Sequence, residues 1–314
     1  MTGGGSVFAG TSGAGCGGEI IVNASEGVTI TDTSALSNNA YDTGSAGTIQ
    51  INTPLLALEK GGHISSSTTG AGNGGTIALK VGRLSLTGGS TIRAISIHFL
   101  TSGTSKLGDG GEIIVNASEG VTITDTSALS TDAGGFGNAG NITVTTPNLI
   151  LADGGKISAR SIYTTGGNIF INADHLKLLN NGTISSSVVG DEQSDGGNVT
   201  INSTNFVALN DSSVTARAKK GRGGNILVNA QVFLHDAADV NDVLNASSEV
   251  EGNDGTVQNN APTTDISGSL VALDTNYLDA AAQLSHRCGM GDSESRSSFT
   301  VQGRGDCSPI PAMP

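Results

Sequence analysis

The feature that most constrains this chain is a short phrase that keeps returning: two mostly small residues, a polar residue, then Ile or Val. It occurs as "GGEI" at 17, "AGTI" at 46, "GGTI" at 74, "GGEI" at 110, "AGNI" at 139, "GGNI" at 166, "GGNV" at 196, "GGNI" at 223 and "DGTV" at 254. The steps between occurrences run from 27 to 36 residues, mostly 27 to 31. A period of this size marks a repeat architecture, in which one unit cannot bury its apolar face alone and neighbours must stack to bury it. A coarser period lies above it. The 21 residues "GGEIIVNASEGVTITDTSALS" at 17–37 recur unchanged at 110–130, an offset of 93 that spans three units and reads as a recent internal duplication.

Inside each unit the apolar positions keep register. Counting the polar residue of the phrase as zero, they fall at +1 and +3 (Ile49 and Ile51, Ile77 and Leu79, Ile142 and Val144, Ile169 and Ile171), and again at +8 and +10 (Leu56 and Leu58, Leu176 and Leu178). A last one sits at +16, as in Ile64, Ile92, Ile157, Ile184 and Val214. The duplicated unit inserts one residue, and the unit with Val232, Leu234 and Val240 drops one. Pairs separated by two are strands with alternate residues facing inward, and the five to six residues between pairs leave room for a turn. The expected fold is therefore all-β: a right-handed parallel β-helix, a three-faced β-solenoid of about nine coils over residues 1–261. A capping segment and short irregular tail follow at 262–314. At about 4.8 Å per coil, the rod would be on the order of 45 Å long. Leucine-rich repeats fit poorly, because two-residue alternation dominates and helix-period runs are missing until near residue 278.

Composition agrees. Of 314 residues 47 are Gly, placed at expected corners where a positive φ suits glycine, while charged residues are 14% and aromatics 3%. Asn recurs at +4 (Asn23, Asn52, Asn116, Asn172, Asn202, Asn229), either as a ladder from coil to coil or as caps of single turns. Length varies almost entirely after +16, so insertions gather on one corner, where solenoids carry binding loops. In the tail, "ISGSLVALD" (266–274) reads as a last strand and "YLDAAAQLS" (277–285) as a short helix.

The net charge of −13 and pI near 4.6 argue against nucleic acid as a partner and suit solubility. No apolar run approaches the roughly 20 residues of a membrane span, and the N-terminus lacks a basic start and apolar core. It begins already rich in Gly, as the distal part of a longer protein would. Of the three cysteines, Cys288 and Cys307 lie in the tail. Oxidised, they would close a loop worth roughly 3 kcal/mol; Cys16 reads as an incidental substitution, since its counterpart in the duplicate is Asp109.

Residues 17–260, and most specifically "NNGTISSS" (180–187), resemble the repeat region of filamentous-haemagglutinin-type large exoproteins. Those are secreted by the two-partner route, many of them in cyanobacteria, where some are labelled S-layer family proteins. "SSFTVQGRG" (297–305) resembles their C-terminal signature, although Asp306 and Cys307 stand where the usual Gly-Leu-Pro continuation would be. The resemblance implies a secreted or outer-cell-surface, adhesin-like, non-catalytic protein. Its partners would be an outer-membrane two-partner-secretion transporter and glycans or surface proteins, with no cofactor. It also implies a tethering role open to Cys288 and Cys307, beside a plain stabilising loop or no bond.

The contrasting class is a carbohydrate-active β-helix enzyme, a polysaccharide lyase or hydrolase, which needs clustered carboxylates. The one candidate cluster is Asp191, Glu192 and Asp195 in "DEQSD" (191–195), a variable loop that also reads as a solvated binding corner. No catalytic, cofactor or metal residue is assigned. The five His lie in different coils without ligand spacing, "KKGRGG" (219–224) reads as a solvated basic turn, and Thr-x-Thr is too sparse to make an ice-ordering face.

Overall fold

The computed structural model describes residues 1–97 and 108–265. They form a parallel β-solenoid of two long sheets. One is a nine-stranded sheet of short strands, from Ser6–Phe8 to Leu244–Asn245, and the other an eleven-stranded sheet of long strands. Every pairing is parallel and nearly all are in register. Ile20, Ile49, Ile77, Ile113, Ile142, Ile169, Val199, Ile226 and Val257 lie in one file, each opposite the next. From Ile49 to Ile226 these side chains are at most 1% exposed. A second file, Leu36, Ile64, Ile92, Leu129, Ile157, Ile184, Val214 and Leu244, runs up the short-strand face. The core is a continuous spine because each coil lays its apolar residues on those of the coil before.

The long sheet differs from the expectation of separate strands at +1 to +3 and +8 to +10. Both lie on one strand, as in Thr48–Leu58, Thr76–Leu86, Glu112–Ile123, Asn141–Ala152 and Asn168–Leu179. Inward residues at +1, +3 and +5 are followed by two successive outward ones, Pro54–Leu55 or Asp174–His175, and inward residues resume at +8. That phase slip turns the strand through a corner without ending it. The +5 position escapes a search for oily residues because it is often a hydroxyl. Its Oγ donates to the carbonyl two residues on, Thr53 to Leu55 (3.2 Å), Thr146 to Asn148 (3.2 Å) and Ser203 to Asn205 (2.8 Å), pinning the bend. The residue inserted in Glu112–Ile123 appears as a register irregularity against both neighbours.

The unit that seemed to drop a residue does not. Pairing from Asn225 to His235 is uninterrupted, so Phe233 and His235 face inward while Val232 is 38% exposed. Phe233 stacks on Phe206 with centroids 4.3 Å apart, and this burial outweighs the alternation of Val232 and Leu234. Val240 starts a single helical turn, Val240–Val243, capped by the Asp239 carboxylate on the Asn241 N–H, and Leu244 takes the core position instead. The stack continues past residue 261 to Thr263–Asp265, which pairs with Phe233–His235. The candidate strand at 266–274, the candidate helix at 277–285, and Cys288 and Cys307 lie outside the described residues.

Glycine works differently at the two kinds of corner. At the turn before each short strand from Ser6–Phe8 to Ser213–Thr215, successive residues are left-handed: Gly88 and Gly89, but also Asp125 and Thr126, and Asn180 and Asn181. The paired glycines of the repeating phrase have no positive φ. They are small because of close approach. The Gly111 carbonyl accepts the Asn141 N–H of the next coil (3.1 Å), so a Cβ on Gly140 would lie 1.8 Å from that oxygen. The same clash, at 1.8–2.1 Å, recurs at Gly47, Gly75, Gly111, Gly167, Gly197, Gly224 and Gly255. Gly18, in the first coil, meets nothing nearer than 3.4 Å. Gly140→Ala is expected to cost about 3 kcal/mol, because backbone rather than a flexible side chain must move. Gly18→Ala should stay within about 1 kcal/mol of the parent. Urea unfolding of the two variants checks the contrast.

Candidate functional site: outward ladders and the acidic loop

In-register stacking brings together outside the same residue from successive coils. Position zero of the repeat becomes a ladder in which Asn168 Nδ2 donates to Asn141 Oδ1 (2.9 Å), Asn198 to Asn168 (2.8 Å) and Asn225 to Asn198 (2.8 Å). The +4 position makes a second, Asn202 to Asn172 (2.8 Å), Asn229 to Asn202 (2.9 Å) and Asn260 to Asn229 (2.7 Å). A third runs up the left-handed turns, Asn180 to Asp153 (2.9 Å) and Asn210 to Asn180 (2.8 Å). Each amide donates toward the preceding coil, so the amide dipoles align. Of the two readings of the +4 asparagines, the ladder holds from Asn172 onward. Upstream, Lys80 faces Asn52 and Thr145 faces Asn116, which interrupts the column. The signal for the position-zero ladder in the sequence is the recurring "GNI" and "GNV", diluted by Glu and Thr at the same position in earlier coils.

Where the position-zero column meets the glycine corner there is an open groove of about 690 Å³. Asp109, Glu112, Asn138, Asn141 and Asn168 line it. Part of this polarity is already used: Asn73 Oδ1 accepts the Asp109 N–H (2.9 Å) and Asp109 Oδ1 the Asn138 N–H (2.8 Å). The remaining amide and carboxylate groups offer donors and acceptors in rows, a chemistry matched to hydroxyl-rich ligands.

Asp191, Glu192 and Asp195 are exposed on the variable corner. Asp191 is turned into its own loop: its Oδ1 accepts from the Gln193 N–H and the Ser194 hydroxyl, both at 2.9 Å, and its N–H donates back to Ser194 Oγ (2.9 Å). The Gln193 N–H, then the Ser194 hydroxyl, hold the Asp191 carboxyl below its ordinary value, and Lys220 adds attraction. Asp195 joins the stack through its backbone, bridged to Arg222 and accepting the Gly166 N–H (3.0 Å). Among the described residues no three His, Cys, Asp or Glu side chains converge as a metal site. Lys219 and Arg222 likewise stack through backbone, donating to Val188 (3.1 Å) and Ser194 (2.9 Å) carbonyls. Cys16 is exposed with a free thiol.

Two outcomes follow. Asn202→Ala breaks two ladder bonds and is expected to cost about 1 kcal/mol, whereas Asn52→Ala, in the interrupted column, should stay within about 0.5 kcal/mol; thermal melts distinguish them. A carboxyl held below its unfolded value favours the folded loop at pH above that value, and the preference is lost as pH falls through the folded value. An NMR titration should place the Asp191 midpoint below that of an ordinary aspartate, and Ser194→Ala should move it part of the way back. The chain matches no protein-family model, no curated protein and no solved structure.

Proposed function

We propose that this chain is the binding and structural region of a secreted or surface-held exoprotein of the filamentous-haemagglutinin type. It binds rather than catalyses. The observation that carries this reading is the set of outward amide ladders on the long-strand face from Asn141 to Asn260. They spread hydrogen-bonding groups along several coils instead of converging them on one reacting atom. A surface of that kind suits glycans or other surface proteins, which are recognised over a length. The sequence resemblance adds an outer-membrane two-partner-secretion transporter as the export partner and the outer cell surface as the destination. The charge of −13 disfavours nucleic acid as a ligand. No helix among the described residues is long and apolar enough to cross a membrane.

The purified chain, immobilised and probed with a glycan array and with intact cells, is expected to retain ligands without altering them. The same chain incubated with a polysaccharide panel decides the competing enzyme reading. Release of shortened or unsaturated products, abolished by Asp191→Asn or Asp195→Asn, would replace adhesion with lyase or hydrolase chemistry.

A further inference from the structure

The short-strand face of the central coils carries charge opposite in sign to the chain as a whole. Residues 156–160, 183–189 and 213–219, on three successive coils, include Lys156, Arg160, Arg217 and Lys219 and no Asp or Glu. All four are exposed, and they line one open groove of about 340 Å³. The one ion pair among the described residues lies elsewhere, between Arg83 and Glu119. Of the acids nearby, Asp132 accepts from the Ser158 hydroxyl (2.6 Å) and the Arg160 backbone N–H (2.7 Å) and is not among the lining residues, while Glu249 stands on the groove's lining. The four cations on this lining outnumber Glu249 and none of them is ion-paired, so the groove keeps a net positive charge that an anion from outside would offset.

The floor adds a second, independent requirement. Ser185 Oγ donates to Ser187 Oγ (3.2 Å), Ser187 Oγ to Thr215 Oγ1 (3.2 Å), and Thr215 Oγ1 back to Ser185 Oγ (2.9 Å). The ring uses all three hydroxyl protons, and Ser187 Oγ also accepts the Arg217 backbone N–H (3.1 Å), so the lone pairs left free are one on Ser185 and one on Thr215. The floor therefore accepts hydrogen bonds while the walls offer positive charge. Arg160 and Arg217 belong to the same column on coils 5 and 7, placing their backbones about 10 Å apart along the stack.

We propose that this groove binds a carboxylated polysaccharide. Arg160 and Arg217 pair with carboxylates of separate acidic sugars, and the free lone pairs of Thr215 and Ser185 accept from the sugar hydroxyls between them. A planar guanidinium matches a carboxylate in bidentate fashion. The inference rests on the binding reading above and names a ligand class for it.

Titration calorimetry of the full chain with an oligogalacturonate, a neutral glucan oligomer of equal length and single-stranded DNA tests the groove. The uronate is expected to bind in preference to both others and to weaken as salt rises. Arg160→Gln/Arg217→Gln, at exposed positions, should lower that affinity at least about tenfold with an unchanged melting temperature. Absent uronate binding, equal binding of the neutral glucan, preference for the DNA, or a double variant that binds as the parent does would each overturn the proposal. If the chain still retains neutral glycans or cells on the array while ignoring uronate, this groove fails and the adhesive reading stands. If uronate is bound but then cleaved, the groove stands and the adhesive reading fails.

Discussion

Backbone laid on backbone at the glycine corner is the contact from which the other interactions follow. The carbonyl of Gly111 accepts the N–H of Asn141 directly above the place where a Cβ on Gly140 would sit, and the same arrangement repeats along the rod. With no Cβ on the later glycine of each such pair, successive laps close to strand-pairing distance at this bend. Once they do, register is inherited by everything downstream in the coil. Inward residues meet their own kind and form the files that begin at Ile20 and Leu36. Outward residues meet their own kind as well, which is why asparagines about 30 residues apart in sequence become hydrogen-bonded neighbours. A slip of one residue would bury the amides and expose the aliphatics, so core and ladders enforce the same register from opposite sides.

The chain contains its own control for the effect of stacking. Residues 17–37 and 110–130 are identical, yet the second copy forms one strand, Glu112–Ile123, while the first splits into Glu19–Asn23 and Val28–Ile30. Ile113 and Val121 are at most 1% exposed, against 8% for Ile20 and an intermediate burial for Val28. The second copy pairs on both sides, with Thr76–Leu86 and Asn141–Ala152, whereas Glu19–Asn23 ends the long sheet. Local propensity is the same in both copies, so the difference comes from neighbours alone. Gly18 shows the same thing at a single atom, being a glycine whose smallness nothing in its own coil requires.

The three faces divide their chemistry. The long-strand face carries aligned amides, the variable corner carries three exposed acids of which Asp191 is folded back into its own loop, and the short-strand face of the central coils carries cations without ion pairs over a ring of hydroxyls. The amide ladders and the cationic groove span several repeats, whereas Asp191, Glu192 and Asp195 belong to one loop of one coil.

Much of this was legible in the sequence. The period of the small–small–polar–Ile phrase and the two-residue spacing of the aliphatics determined a parallel stack of about nine coils and which residues fill it, because burial demands an oily face and a solenoid offers only one way to supply it repeatedly. The corner inside the long strand was not legible, since Thr53, Thr146 and Ser203 turn it through hydroxyl–carbonyl bonds that carry no hydrophobic signal. The inward turn of Phe233 and His235 was not legible either, because Val232 and Leu234 alternate equally well and only the stack on Phe206 chooses between them. The outward surfaces depend on the third dimension in the same way. Sequence lists Arg160 and Arg217 as distant residues, and the tertiary structure alone, by laying one lap on another, decides that they share a groove.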